Sequence, residues 1–315
     1  MDYSLGTQIY MVTPNDANQH GTVFGGKILE WADQAGAVLA RRYCHKPVLT
    51  ASLERIDFWH PIQMGEEAHL TPKLLYAHKH SMQISVEVKG INPFKEKERV
   101  TAQILLSFVA IDEKNGRPAS VPPWQGKLPK EVKACRGRFV FKERKIPTKK
   151  DLSGPLEYLG KKPAKLIQDS FVENHHMVMP SDQNNLNLLF AGRFLSWVDI
   201  VGALSARRHC ETPVVTASIE EVDFKQRVPK GSTIRLEARP IFSAEKSVQI
   251  QVIGWLWDEY KDSDKFIADA FLTFVALDRK NKKPTKVPQL KIQNKEQEKL
   301  YLMGQWRYFK RKNKH

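Results

Sequence analysis

An amide, two glycines and a carboxylate lie close together near the start of the chain, where a loop leads into a helix. Asn18 lies in the loop, Gly25 and Gly26 lie where an apolar helical pattern begins, and Asp33 lies inside that pattern. Glycines let a backbone approach a ligand closely, and the free N–H groups of a helix start attract negative charge. Asp33 has apolar neighbours, so it is either a structural acid whose charge is satisfied or a carboxylate that takes part in chemistry.

The same arrangement occurs a second time. Asn184 and Asp199 stand where the first copy has its loop Asn and its helix Asp, each 166 residues later. The correspondence extends from 11–122 to 177–288 without a net insertion. An internal repeat of this length indicates a duplicated module, and two copies suggest a fused dimer with a pseudo-two-fold axis.

The elements that must hold these residues follow the same order in each copy. In the first copy a short apolar strand precedes the loop, and the periodicity predicts a helix over 24–43. Four further β-rich runs follow, over 48–59, 68–76, 82–88 and 100–111. One helix with an antiparallel sheet is an α+β pattern. A sheet this small needs a partner for its other face and its edge, and the second copy is that partner.

The repeat divides the chain into a first domain over 1–122, a linker over 123–165, a second domain over 166–288 and a tail over 289–315. The net charge of +15 comes from the linker and the tail, because each module carries equal numbers of basic and acidic residues. Such basic runs are usually solvated surface, although they can attract phosphates. Basic residues interleaved with aromatics can also bind single-stranded nucleic acid, but aromatics in such a tail more often pack on their own domain.

The cysteines and the chain start indicate the compartment. Cys44, Cys135 and Cys210 form an odd set without metal-ligand spacing, and the histidines show no such spacing either, so no metal site is predicted. We expect reduced, packed thiols in a reducing compartment. No apolar run approaches the ~18 residues of a membrane span. The start lacks a basic region followed by an apolar one, so a cytoplasmic protein is predicted.

The motif resembles the acyl-CoA thioesterases of the hotdog fold. The resemblance is carried by Asn18, Gly21, the Phe-Gly-Gly of 24–26, and Asp33 seven positions after the last glycine. The Thr-Ala-Ser strand that begins at Thr50 and the closing Phe-Val-Ala strand also fit. The tandem arrangement resembles the cytosolic, two-hotdog long-chain acyl-CoA hydrolases.

The resemblance implies two tandem hotdog domains, each a long helix wrapped by an antiparallel sheet. It implies that acyl-CoA binds at their interface, and that no cofactor is needed beyond the coenzyme A of the substrate. The loop Asn of one domain and the helix Asp of the other would share a site. We call Asn18 with Asp199 the front site, and Asn184 with Asp33 the rear site. A homo-oligomer, commonly a trimer of such double modules, is also implied.

The resemblance assigns roles to these residues. Asp199 would act as base or nucleophile, Asn18 would orient the water or the carbonyl, and the N–H of Gly26 would polarise the thioester oxygen. Burial would raise the proton affinity of the acid. The front site is favoured for catalysis because Ala191 replaces Gly25 in the rear loop, which also carries leucines that should crowd a thioester. Further substrate-binding candidates are Gly25, Gly26, Gly192, Thr50, Thr216, Ser81 and Ser247.

Other functions stay open on the sequence. A hotdog pair could bind acyl-CoA without hydrolysing it, and the crowded rear loop favours this for the rear site. A hotdog dehydratase is disfavoured, because that chemistry typically uses a His paired with an acid and the helix motif offers no such His. Nucleic-acid binding through the linker and tail would weaken steeply with salt. The preferred acyl chain length depends on packing between the helices, which the sequence does not give.

Overall fold

The first half of the computed structural model is one long helix against an antiparallel sheet. The structure describes residues 6–54, 56–95, 97–125, 155–220, 222–261 and 263–312. The elements of this half are, in chain order, β1 (Gln8–Met11), α1 (Gly25–Cys44), β2 (Val48–Leu53), β3 (Ile56–Asp57), β4 (Glu67–His78), β5 (Ser81–Asn92) and β6 (Lys97–Ala110).

The second half repeats this order and adds elements at both ends. They are β7 (Lys161–Leu166), β8 (Val172–Met177), α2 (Ala191–Cys210), β9 (Val214–Ile219), β10 (Val222–Asp223), β11 (Thr233–Ser243), β12 (Ser247–Asp258), β13 (Ser263–Ala276), β14 (Pro288–Lys291) and α3 (Lys295–Lys312). The predicted pair of hotdog domains is confirmed, and the helix predicted over 24–43 is α1.

The two long helices end in the same way. His45 and Glu211 follow α1 and α2 in the left-handed conformation, with φ of 53° and 54°. Their N–H groups donate to the carbonyls of Arg41 and Arg207 and so satisfy the last turns. Basic side chains in these turns are also favoured by the helix dipole.

The two sheets exchange a short strand. Their orders are β1-β4-β5-β6-β2-β10 and β3-β9-β13-β12-β11-β8. Ile56 of β3 pairs with Ile219 of the second half, and Val222 of β10 pairs with Leu53 of the first. The β-rich run predicted over 48–59 is therefore two strands in two different sheets. Each half covers the open edge of the other, which would otherwise expose unpaired backbone groups.

The end of the chain covers the outer face of the second sheet. Tyr301 of α3 is fully buried and packs edge-on against Phe242 of β11 at a ring-centroid distance of 5.1 Å. Its hydroxyl donates to the carbonyl of Glu157 at 2.9 Å, and β14 pairs in parallel with β7 beside it. The tail therefore packs at least this aromatic on its own domain, as expected.

Several sequence-based predictions concern residues outside or only partly inside the described ranges. Cys135 and 126–154, most of the predicted linker, lie outside them.

Cys44 and Cys210 are buried free thiols, and burial raises the pKa of Cys210 to about 12. Among the helices that the structure describes, none is long and apolar enough to cross a membrane.

The contact between α3 and the second sheet generates a stability prediction. A Cβ at Gly304 would lie 2.5 Å from the Cβ of Phe242, so Gly304→Ala forces the helix away from the sheet. We expect it to lower the free energy of unfolding by about 1–3 kcal/mol, measured by urea denaturation. Gly6→Ala is the matched control, because a Cβ there meets nothing within 4 Å. Equal stability of the two variants would contradict the prediction.

Candidate functional site

The starts of α1 and α2 lie directly against each other at the interface between the halves. A Cβ added to Gly26 would lie 2.7 Å from the Cα of Ser196, and one added to Gly192 would lie 2.9 Å from the Cα of Glu30. Real Cβ atoms do not come this close to backbone. Glycine at these two positions therefore lets the helices approach closely enough for their backbones to reach each other's side chains.

This approach produces two reciprocal hydrogen bonds. The N–H of Gly26 donates to Oδ2 of Asp199 at 2.8 Å, and the N–H of Gly192 donates to Oδ2 of Asp33 at 2.7 Å. Both aspartates have no exposed surface. The Gly26 N–H that was expected to polarise a thioester oxygen is thus bound to the carboxylate of the other domain.

A threonine of the strand after each helix holds the other carboxylate oxygen. Thr216 donates its hydroxyl to Oδ1 of Asp199 at 2.7 Å, and Thr50 donates to Oδ1 of Asp33 at 2.6 Å. Each acid is therefore oriented by one donor from its own domain and one from the other. An ionised carboxylate accepts about four hydrogen bonds, so each acid keeps capacity for a further donor such as water.

Burial gives both acids an unusual proton affinity. It raises the pKa of Asp33 from 3.8 to about 6, although the hydrogen bonds from Thr50 and Gly192 oppose the shift. It also raises the pKa of Asp199, against the hydrogen bonds from Thr216 and Gly26. A carboxylate with a raised pKa is a stronger base and is suited to proton transfer near neutral pH.

The loop amides occupy equivalent positions in the two halves. Oδ1 of Asn18 accepts from the N–H of His20 at 2.8 Å, and Oδ1 of Asn184 accepts from the N–H of Leu186 at 2.9 Å. Each loop runs into the helix whose first turn reaches the acid of the other half. The pairing of each loop amide with the acid of the other domain in one site stays a prediction.

A cavity of about 420 Å³ opens beside the rear site. Asn184, Ala191 and Thr50 line it, and Thr50 is the residue that holds Asp33. Leu188 also lines this space, and the crowding expected from the rear loop stays a prediction. The volume lies in the range of about 300–1,000 Å³ that is usual for small-molecule sites.

Basic residues lie near both sites, and Glu30 also lines the rear cavity. Arg41 and Arg227 line the rear cavity and are exposed. At the front loop, burial and the nearby charges of Lys282 and Arg207 lower the pKa of His20. Of these cations, Arg41 and Arg207 are equivalent in the repeat. Cations beside a site suit a ligand that carries negative groups outside its reacting part.

Of the remaining predicted substrate-binding residues, Gly25 borders a site, whereas Ser81 and Ser247 do not line the cavity. A Cβ at Gly25 would lie 3.2 Å from Phe58 and from Thr216, so Gly25 borders the front site. Ser81 donates its hydroxyl to the carbonyl of His78 in the turn between β4 and β5, at 3.2 Å. Neither Ser81 nor Ser247 lines the cavity.

The sequence did not single out two further residues at the sites. Tyr10 lines the rear cavity and stacks on Trp31 at 4.8 Å, and His176 makes the equivalent stack on Trp197 at 4.5 Å. The sequence of these strands gives no signal for them, because the apolar residues Ile9, Met11 and Met177 are the exposed ones. Among the residues that the structure describes, no three His, Cys, Asp or Glu side chains are placed to hold a metal ion.

Comparison with known proteins gives one consistent family. The family model described as the thioesterase superfamily matches residues 20–92 and 186–260. The mouse protein named cytosolic acyl coenzyme A thioester hydrolase is 30% identical over 317 residues, which covers 96% of this chain and 82% of the mouse protein. A Bacillus subtilis protein named as an uncharacterised acyl-CoA thioester hydrolase is 33% identical over 150 residues, covering 48% of this chain and 87% of its own length.

A solved structure supports the double fold. A putative oleoyl thioesterase from Lactobacillus plantarum matches with a TM-score of 0.59 and 10% identity, covering 87% of this chain and 97% of that one. At this identity the match concerns the fold alone.

The helix contact generates a prediction for Gly26→Ala. Its Cβ would clash with the backbone of Ser196 and lie 2.9 Å from the Cβ of Asp199, so the helices must separate and the reciprocal hydrogen bond must lengthen. We expect the free energy of unfolding to fall by about 1–3 kcal/mol, measured by chemical denaturation. Gly25→Ala is the comparison, because its nearest neighbours are side-chain atoms at 3.2 Å. A smaller loss for Gly26→Ala than for Gly25→Ala would contradict this account.

The buried acid at the rear site generates a prediction on pH. The folded protein holds the Asp33 proton up to about pH 6, whereas the unfolded chain releases it near 3.8. The folded state therefore binds more protons in this window, and its free energy of unfolding falls as the pH rises through it. Asp33→Asn does not titrate, so the difference in stability, variant minus wild type, should grow from about pH 4 to pH 7 by up to about 3 kcal/mol. A constant difference in urea unfolding would show that the pKa of Asp33 is not raised.

Proposed function

This chain belongs to the thioesterase superfamily, with the acyl-CoA hydrolases of tandem hotdog fold, and from this we propose that it hydrolyses acyl-CoA to a fatty acid and coenzyme A. The observation that carries the proposal is Asp199, a fully buried acid placed against the first turn of the other domain's helix. A base at such a place lies next to amide dipoles that favour developing negative charge.

Asp199 acts as the general base of the front site. A water bound to its carboxylate loses a proton to it while the water oxygen bonds to the carbonyl carbon of the thioester. The tetrahedral intermediate collapses to the carboxylic acid with cleavage of the C–S bond, and the departing thiolate takes up the proton that Asp199 had removed from the water, which restores the carboxylate. The raised pKa of Asp199 strengthens it as a base, and Thr216 fixes the direction of its lone pairs.

Gly25 supplies the donor for the carbonyl oxygen. The N–H of Gly26 is bound to Asp199, but the N–H of Gly25 belongs to the first turn of α1, where amides have no partner inside the helix. Gly25 borders Thr216, so its amide lies close to the group that holds the base. One such donor contributes about 3–4 kcal/mol in other enzymes. Asn18 orients the water or the carbonyl from the loop.

The charges around the sites favour a phosphate-bearing thioester. Arg41 and Arg227 at the rear, and Arg207 and Lys282 at the front, are placed to meet the phosphates of coenzyme A. The acyl chain lies between the helices and the exchanged strands, where Val38, Leu49 and Phe224 line the rear cavity. No cofactor enters this reaction, because water is the nucleophile and coenzyme A is part of the substrate.

For the rear site, the main role that we propose is binding of acyl-CoA. It keeps Asn184, Asp33 and Thr50 and has an open cavity, so it can hold the same substrate. Ala191 and the leucines of its loop change the surface that would meet the thioester. We therefore assign turnover chiefly to the front site, with weaker hydrolysis or binding alone at the rear.

We also propose a homo-oligomer in the cytoplasm, a trimer of double hotdogs. The edge strands β1 and β8 carry the exposed apolar residues Ile9, Met11 and Met177, which a second copy would cover. The curated mouse relative is named cytosolic, which supports the location. Nucleic acid is not proposed as a partner.

The function is tested by thioester hydrolysis with wild type, Asp199→Asn and Asp33→Asn. Release of free thiol from palmitoyl-CoA and from a series of shorter acyl-CoAs is followed with a thiol reagent. Wild type should turn over, and Asp199→Asn should lower kcat by about 10²–10⁴-fold, because the base is lost while the shape is kept. Asp33→Asn should have a much smaller effect. Binding of acyl-CoA without thiol release would leave only the binding function, and equal losses in the two variants would contradict the assignment to the front site.

A further inference from the structure

The two catalytic loops hold their amides through almost identical hydrogen bonds. The N–H of Asn18 donates to the carbonyl of Thr22 at 2.7 Å, and the N–H of Asn184 donates to that of Leu188 at 2.8 Å. Oδ1 of Asn18 accepts from the N–H of Thr22 at 3.4 Å, and Oδ1 of Asn184 accepts from that of Leu188 at 3.3 Å. The backbone of each loop therefore holds its amide oxygen in the same way.

One contact is present at the front loop and missing at the rear. Nδ2 of Asn18 donates to Oγ1 of Thr22 at 2.9 Å. The equivalent residue in the rear loop is Leu188, which has no hydroxyl. Within the described residues, Nδ2 of Asn184 makes no hydrogen bond. The loops thus differ in whether the nitrogen of the amide is held.

A held nitrogen matters because a primary amide has two N–H donors in one plane. When one N–H is bound to Thr22, the plane of the Asn18 amide is fixed at both its oxygen and its nitrogen. The second N–H then points in one direction, where it can meet a water or a carbonyl. The amide of Asn184 is held at its oxygen alone and can tilt about that contact.

We propose that Thr22 is a positioning residue that fixes the Asn18 amide for catalysis and so makes the front site the faster of the two. This inference rests on the proposed hydrolysis of acyl-CoA. Thr22 acts through Asn18, so its loss should reduce the fraction of bound substrate in reacting geometry. The expected effect is therefore on kcat, with KM changed little.

Thr22→Val tests the inference, because valine keeps the shape and the β-branch and removes the hydroxyl. We expect kcat for the best acyl-CoA to fall by at least about tenfold, with KM within about twofold of wild type. Thr22→Ser restores the hydroxyl and should return kcat to within about threefold of wild type. Thr71→Val is the matched control and should keep wild-type kinetics, since Thr71 lies on β4 and its hydroxyl bonds to the exposed hydroxyl of Thr7 at 2.9 Å.

The outcomes separate this inference from the proposed function. If wild type releases no thiol from any acyl-CoA, the proposed function fails and the inference fails with it. If wild type is active and Thr22→Val keeps its kcat, only the positioning role is overturned. An equal loss in Thr22→Ser and Thr22→Val would also overturn it, because serine keeps the hydroxyl and the loss would then not follow the hydroxyl. Circular dichroism and thermal unfolding establish that each variant is folded.

Discussion

The structure depends on one reciprocal contact, in which each buried aspartate accepts a hydrogen bond from the first turn of the other domain's helix. A buried carboxylate without partners would be strongly destabilising. The amides of Gly26 and Gly192 satisfy Asp199 and Asp33, and the helix dipoles add a favourable interaction with the negative charge. Neither domain can supply this donor to its own acid. The same contact therefore joins the two halves at the starts of their long helices.

The exchanged strands reinforce that dependence. β3 and β10 leave their own domains and complete the opposite sheets, so the edge of each sheet is covered by its neighbour. Thr50 lies on β2, which pairs with β10 of the second half, and Thr216 lies on β9, which pairs with β3 of the first. The residues that hold the acids are therefore fixed by the same backbone that ties the domains together.

Duplication allowed the two sites to diverge while the fold stayed the same. Gly21 and Asn187 occupy the same place in the two loops, with φ of 73° and 56°. Asn adopts the left-handed region more readily than most residues, so the exchange of Gly for Asn leaves the backbone conformation of the loop unchanged. The exchange of Thr22 for Leu188 instead removes a hydrogen bond to the loop amide. The first substitution thus keeps the backbone conformation of the loop, whereas the second removes a side-chain contact.

Much of the architecture was predictable from local pattern. Helical periodicity located α1, alternation and turn residues located the longer strands, and the fixed register of the repeat implied a pseudo-two-fold pair. The pairing of Asn18 with the acid at Asp199 came from resemblance to a known family. It could not come from periodicity, because a local pattern carries no information on which distant residues share a site.

The sequence by itself determined which residue types each half contributes: an amide in a loop, glycines at a helix start and an acid inside the helix. Tertiary structure decided what those residues bind. The Gly26 amide faces Asp199 because two helix backbones meet closely, and the rear leucines border a cavity because Phe224 and the exchanged strand shape the space around them. These contacts depend on the distances between separate helices and strands. The packing of the whole interface sets those distances.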